Sequence, residues 1–181
     1  DSGARSFYTK KPVKTPADLK GMKIRVIQNK INMDMVAALG ASATPMPYGE
    51  VFSSLQTGVI DGAENNAPSY LTANHYQAVK NYVLDAHQRV PEVLMASKAT
   101  WDKLSEDDRK LIKQAAIDSV KFQRESWAKY DKDAMDKLKA GGVIVTEVKD
   151  AKAWQDAVKP VIEKYSAEYK AELEAIAKAR K

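Results

Sequence analysis

Glycine recurs at positions 21, 40 and 58, and each time it closes a helical pattern and precedes an extended one. "TPADLKG" carries both helix ends: Thr15 can cap, Pro16 suits the first helical position, Asp18 lies near the positive end of the dipole, and Gly21 supplies a left-handed stop. "MKIRVI" then alternates Met22, Ile24 and Val26 against Lys23 and Arg25, as a strand does. "INMDMVAALGA" reads as a helix ending at Gly40, "SATPMP" as a short extended piece, and "GEVFSSLQTG" as a helix closed by Gly58. "VIDGAEN" is the next strand, and "APSYLTANHYQAV" returns to helix. Strands and helices alternating at this spacing predict βαβ units and an α/β fold with a mostly parallel sheet. In such sheets ligands sit at the carboxyl ends of the strands, and Asn65 falls at such an end.

Beyond Tyr82 the pattern changes. "YVLDAHQRVPEVLMAS" has two apolar runs separated by polar residues and Pro91, and reads as extended chain crossing between lobes. From Ser105, which with Asp108 resembles a capping box, a helical pattern runs to Gly141-Gly142. Ile112, Ala116, Val120, Trp127, Tyr130, Ala134 and Leu138 share one face of it. A helix of about ten turns is long for a globular protein, so a kink or break is expected. "GVIVTEV" predicts a strand, and the tail from Ala151 a helix that Pro160 breaks or kinks. Trp154, Val158, Ile162, Tyr165, Leu173 and Ile176 fall on one side of that tail.

Composition excludes several chemistries. The 181 residues include no cysteine, so thiol nucleophiles, disulfides and thiolate metal sites are absent. Two histidines, His75 and His87, cannot build a zinc site without carboxylate help, and each defaults to a hydrogen-bonded structural role. The net charge of +5 is spread over lysines on helix faces beside Asp and Glu, a solvated surface rather than a nucleic-acid groove. No window approaches the roughly 18 apolar residues of a membrane span. No P-loop, Gly-x-Gly-x-x-Gly or Gly-x-Ser-x-Gly pattern occurs.

The stretch "GVIDGAENN" ends a strand in a carboxylate and two amides, Glu64, Asn65 and Asn66. Either it is a solvated loop or these groups face something polar. Asn65 could instead cap the helix near Pro68, and Glu64 alone is weak evidence for acid–base catalysis. Arg25 sits in an otherwise apolar strand, where a guanidinium must either reach solvent from an edge or clamp a carboxylate with its planar fork. Arg5 reads by default as a surface residue near a terminus. Tyr48, after two prolines, is either a core aromatic or a flat face for a ligand.

Taken together, "TPADLKGMKIRV", "ALGASATPMPYGEVFSSLQTGVIDGAEN" and "VPEVLMASKATWDKLSEDDRKLI" resemble the periplasmic solute-binding subunits of TRAP transporters, the DctP-type family. The resemblance runs continuously from Arg5 to about Ala140 and more loosely through the C-terminal helix. It implies a periplasmic-binding-protein-like fold of two lobes with a hinge, present here as a C-terminal portion with long helices. The implied layout is a hinge-proximal segment of lobe one at 1–21, a βαβ ligand-binding lobe two at 22–85, an inter-lobe strand and long helix at 86–142, and a strand and C-terminal helix at 143–181.

It also implies roles. Arg25 is the carboxylate clamp, Arg5 a second arginine that helps it, Asn65 a hydrogen-bonding partner of the ligand, Tyr48 an aromatic packed on it, and Gln28 a further polar side chain. "ENNAPS" followed by His75 resembles the branch that takes sugar acids such as glucuronate and galacturonate, whose hydroxyls Glu64 and Asn65 would meet. The expected partners are a small organic acid, the TRAP membrane subunits and a missing N-terminal part of the same protein, in the periplasm, with no cofactor, metal, nucleic acid or catalysis. A dicarboxylate is the alternative ligand. An enzyme acting on an acidic sugar with Glu64 as base, and a helical interaction module built on the long amphipathic helices, are the competing classes.

Overall fold

A computed structural model describes residues 1–179. Arg180 and Lys181, the end of the expected 143–181 segment, lie outside the described residues. The strands are β1 (Ala4–Thr9), β2 (Lys23–Val26), β3 (Ser42–Pro45), β4 (Gly62–Asn65), β5 (Asn81–Leu84), β6 (Gln88–Arg89) and β7 (Ile144–Glu147). They form one sheet in the order β3-β2-β4-β1-β5-β7, with β6 added to β1. The helices are α1 (Lys30–Ala38), α2 (Val51–Thr57), α3 (Ala67–Thr72), α4 (His75–Ala78), α5 (Lys98–Trp101), α6 (Glu106–Ala140), α7 (Ala151–Ser166) and α8 (Lys170–Ala179).

The sheet is mixed rather than mostly parallel. β2 pairs in parallel with β3 and β4, and β5 with β7, whereas β1 runs antiparallel to β4, β5 and β6. Arg5, Ser6 and Thr9 hide the strand character of "ARSFYT", yet Phe7 and Tyr8 are buried, one in each of the two cores. Phe7 joins Val13, Leu19, Ile24, Val36 and Trp154 on one face of the sheet. Tyr8 joins Val51, Leu55, Tyr70, Tyr82 and Leu138 on the other. Residues from all four expected segments contribute strands to this one sheet.

Local signals explain most boundaries. Asn29 caps α1 by accepting from the Asn32 amide, and Gly58 ends α2 at φ +81°, a left-handed conformation that a side chain would strain. "TPADLKG" closes as one 3-10 turn at Pro16–Leu19 rather than a full helix, though Thr15 and Asp18 form the capping box. The segment after β4 breaks in two at Asn74, whose φ of 58° is incompatible with continuing α3.

Two expected breaks are corrected. α6 is one uninterrupted helix of 35 residues, with no Pro or Gly inside it to force a kink. Ser105 caps it, Glu106, Asp107 and Asp108 fill its first turn, Lys137 and Lys139 its last, and Lys110–Glu106 and Lys132–Asp136 pairs span successive turns. Pro160 lies within α7, which continues to Ser166. Its ring is on the exposed side, where water can take the hydrogen bond that the Asp156 carbonyl forgoes.

Of the apolar face assigned to α6, only Ala134 and Leu138 are buried, against α3 and the sheet. Ile112, Val120 and Tyr130 are exposed. On the tail, Trp154 is buried, while Ile162, Leu173 and Ile176 are exposed.

Candidate functional site: a buried guanidinium beside a compensated ion-pair network

Because β1 is antiparallel to β4, its amino end lies beside the carboxyl ends of β2 and β4. The register pairs Ser6 with Asn65, Phe7 with Glu64 and Tyr8 with Ala63. That places Arg5, Arg25, Glu64 and Asn65 at one end of the sheet.

Arg25 is 5% exposed, with Ile24 and Val26 packed on the opposite face of the sheet. Its Nε and Nη2 both donate to the Met46 carbonyl, at 3.1 and 2.9 Å. No carboxylate pairs with it among the described residues. The Nη1 side of the fork is therefore left for something else. Burial pulls the Arg25 pKa below the ordinary arginine value, but a guanidinium stays charged at neutral pH. The Tyr48 ring lies 5.7 Å from its Cζ, within cation–π range. Tyr48 opens the 3-10 turn Tyr48–Glu50, is half-exposed, and donates to the Ser69 carbonyl at 3.2 Å.

Arg5 is committed differently. Its Nε and Nη2 donate to the two Glu64 carboxylate oxygens at 2.6 and 2.8 Å, and Nη1 donates to Asn65 Oδ1 at 3.0 Å. It is no surface residue, and pairing with Glu64 raises its pKa in spite of burial. Glu64 is 1% exposed, with both oxygens taken by Arg5. The Glu64 carboxylate is buried and orients Arg5 by accepting from its guanidinium through both oxygens. Burial pushes the Glu64 carboxyl up, but His87 and Arg5 outweigh it and leave it below the usual range.

His87, which the sequence pattern left as an ordinary structural histidine, completes the network. Its Nδ1 is 2.6 Å from Asp85 Oδ2 and its Nε2 is 3.4 Å from Glu64 Oε2. The ring stacks on Phe7 at 4.3 Å. Burial lowers its pKa, yet the two carboxylates prevail and it is pushed up to about 9, so the ring is charged at neutral pH. Ala86, at φ 48°, makes the turn that folds His87 back under Glu64. Such a conformation is uncommon outside glycine. No spacing rule points to Asp85 or His87, because the contacts that tie them to the site, Asp85 with the Phe7 amide and His87 with Glu64, span 78 and more than twenty residues.

On the opposite face, His75 Nδ1 is 2.8 Å from the Tyr8 hydroxyl, and Tyr48 meets the imidazole edge-on at 5.4 Å. Burial, with Arg25 nearby, lowers the His75 pKa to about 4, so this ring is neutral. Asn65 does not cap the next helix. Asn66 does, by accepting from Ser69 N at 2.8 Å, while Asn65 Oδ1 holds Arg5 and the Asn66 amide. Gln28 is exposed just past β2 and makes none of these hydrogen bonds among the described residues. No group of three or more His, Asp or Glu side chains is placed to hold a metal ion among the described residues.

The chain matches the family described as bacterial extracellular solute-binding protein, family 7 (DctP), over residues 1–168. It is 45% identical to a solute-binding protein of Chromohalobacter salexigens over 169 residues, 93% of this chain and 50% of that protein. A TRAP periplasmic solute-binding protein from Pseudomonas putida F1, solved with bound D-glucuronate, superposes with a TM-score of 0.94 at 46% identity, covering 98% of this chain and 57% of that one. One from Sulfitobacter sp. NAS-14.1, solved with bound β-D-galacturonate, gives 0.91 at 42% identity, covering 96% and 58%. The chain thus spans about half the length of the curated relatives it matches. With a family match across nearly all of its length and a shared fold, the chain belongs to the DctP family of bacterial extracellular solute-binding proteins.

Proposed function

We propose that this chain forms one wall of a receptor that captures a hexuronate, glucuronate or galacturonate, outside the cytoplasm and hands it to TRAP membrane subunits. The observation that carries the reading is Arg25: a guanidinium 5% exposed, bonded to a single carbonyl and lacking a carboxylate. A buried charge without a counter-charge is costly, and an arriving carboxylate relieves that cost while using the free edge of the fork.

The charge balance favours one carboxylate over two. Arg5 and charged His87 are balanced by Glu64 and Asp85, and Arg25 remains the positive charge without a carboxylate partner while His75 stays neutral. A monoanionic sugar acid matches it; a dicarboxylate brings one negative charge too many. The Asn65 amide and the half-exposed Tyr48 ring remain to meet hydroxyls and the flat side of a sugar. The relatives solved with bound glucuronate and galacturonate support the same ligand class. Binding without turnover is part of this reading, so the ligand leaves unchanged.

Isothermal titration calorimetry with D-glucuronate, D-galacturonate, D-glucose and succinate tests it. Saturable heat is expected for the two uronates, with glucose and succinate at least tenfold weaker. Succinate binding as tightly as the uronates, or uronates producing no heat in the protein joined to its complementary half, contradicts the proposal.

A further inference from the structure

His75 opens α4 directly after Asn74, whose left-handed backbone (φ 58°) ends the preceding helix. Past that turn the imidazole is 1% exposed, on the face of the sheet that carries Tyr8 and Arg25. Its Nδ1 lies 2.8 Å from the Tyr8 hydroxyl. Tyr8 is itself held fast, buried in β1 with its ring stacked on Tyr70 at 4.4 Å. The forces on the imidazole's charge are its burial and Arg25, with no carboxylate among them. A neutral ring therefore stands near the guanidinium without repelling it.

The same ring meets Tyr48 edge-on, with centroids 5.4 Å apart at 62°. Among the described residues Tyr48 packs against no other aromatic ring. Little else holds it: Tyr48 is 42% exposed, opens a 3-10 turn of three residues, and reaches the Ser69 carbonyl at 3.2 Å, long for a hydroxyl donor. Yet the clamp depends on this segment. Two residues earlier the Met46 carbonyl accepts from both Nε and Nη2 of Arg25, and the Tyr48 ring itself lies 5.7 Å from Arg25 Cζ. Whatever fixes Met46 to Tyr48 fixes the fork of Arg25 as well.

We infer that His75 is a positioning residue of the ligand site: anchored by the Tyr8 hydroxyl, its ring holds Tyr48 where that aromatic and the Arg25 fork receive a sugar acid. Buried itself, His75 acts through Tyr48 and not by touching the ligand. The inference rests on the hexuronate reading, which supplies the ligand that the held ring meets. A ring left free to turn must be ordered when the ligand arrives, and ordering one such side chain weakens binding about two- to tenfold.

The test titrates D-glucuronate calorimetrically into the protein joined to its complementary half, as wild type and as variants. His75→Asn leaves an amide to bond the Tyr8 hydroxyl where Nδ1 stood but removes the ring. Its thermal melt stays close to wild type while affinity falls about two- to tenfold. His75→Phe restores a ring and strips Tyr8 of its partner, so the melting temperature falls while most of the affinity returns. A residue that only supports the core would move affinity and stability together. In a Tyr48→Ala background, His75→Asn has no further effect on affinity. A second readout needs no ligand: NMR follows hydrogen exchange at the Arg25 Nε–H, which is expected to be faster in His75→Asn than in wild type. Unchanged affinity in His75→Asn, or the same loss with and without the Tyr48 ring, overturns the inference. If the wild type takes up no glucuronate, the hexuronate reading falls and the exchange rates decide alone. Arg25 exchange indifferent to His75→Asn then overturns the inference too.

Discussion

Replacing Glu64 with glutamine takes the negative charge away from both Arg5 and His87 while keeping the shape of the side chain. Glu64 is 1% exposed, and Arg5 donates to its two oxygens at 2.6 and 2.8 Å. Removing one partner of a buried ion pair costs about 3–5 kcal/mol, because the other charge stays buried without compensation. The amide keeps one acceptor for Arg5, which sets the expectation at the lower end, about 3 kcal/mol. For a chain of this size that corresponds to a fall in melting temperature of about 6–12 °C. Urea denaturation followed by circular dichroism gives the free energy. A double-mutant cycle with Arg5→Gln gives the coupling, and the double variant should cost less than the sum of the singles. Titrating the His87 ring by NMR supplies an independent readout: its pKa drops from about 9 but stays above the usual value, since Asp85 remains at 2.6 Å. A loss below about 0.5 kcal/mol, or strictly additive single-variant costs, would refute the claim that Glu64 is an internal partner of Arg5.

The two histidines give stability opposite pH slopes. His87, raised to about 9, contributes stability present below the ordinary value of 6.5 and lost as pH rises through 9. His75, lowered to about 4, contributes stability present above 6.5 and lost as pH falls through 4. Urea midpoints should peak near pH 6.5, with His87→Asn flattening the alkaline arm; an unchanged slope in that variant argues against a charged His87. Tyr8→Phe leaves His75 Nδ1 without its partner at 2.8 Å and should cost about 1–3 kcal/mol in the same assay, against no change if the contact is idle. Gly62→Ala puts a Cβ 2.6 Å from the Tyr8 carbonyl oxygen, and thermal melts should show a loss of about 1–3 kcal/mol; a neutral result would mean that β1 and β4 can part at no cost.

The glycine stops, the strand at "MKIRVI" and the capped helices were legible because each is written in neighbouring residues. β1 was not, since three polar residues among six hide it and its antiparallel place between β4 and β5 is decided by chain far away. Arg25 stood out as a charge in an apolar strand, and the structure keeps it buried without a carboxylate. Glu64 stood out as part of a polar cluster, but its pairing with Arg5 was not legible. Its contacts reach 59 residues back to Arg5 and forward to His87, separations that no local pattern encodes. The unbroken α6 reflects what its sequence lacks, Pro and Gly, more than its length. The exposure of its first half, at Ile112, Ile117 and Val120, is not something that residue spacing alone reveals.

Comparing D-glucuronate titrations of the wild-type protein, Arg25→Ala and Arg25→Lys tests the central claim most directly. Loss of a charge-assisted partner costs about 2–5 kcal/mol, a thirtyfold drop in affinity or more. Arg25→Lys should also weaken binding, because a lysine offers no fork. Alanine at position 25 with affinity unchanged would show that the buried guanidinium does not hold the carboxylate, and the receptor would need a different clamp.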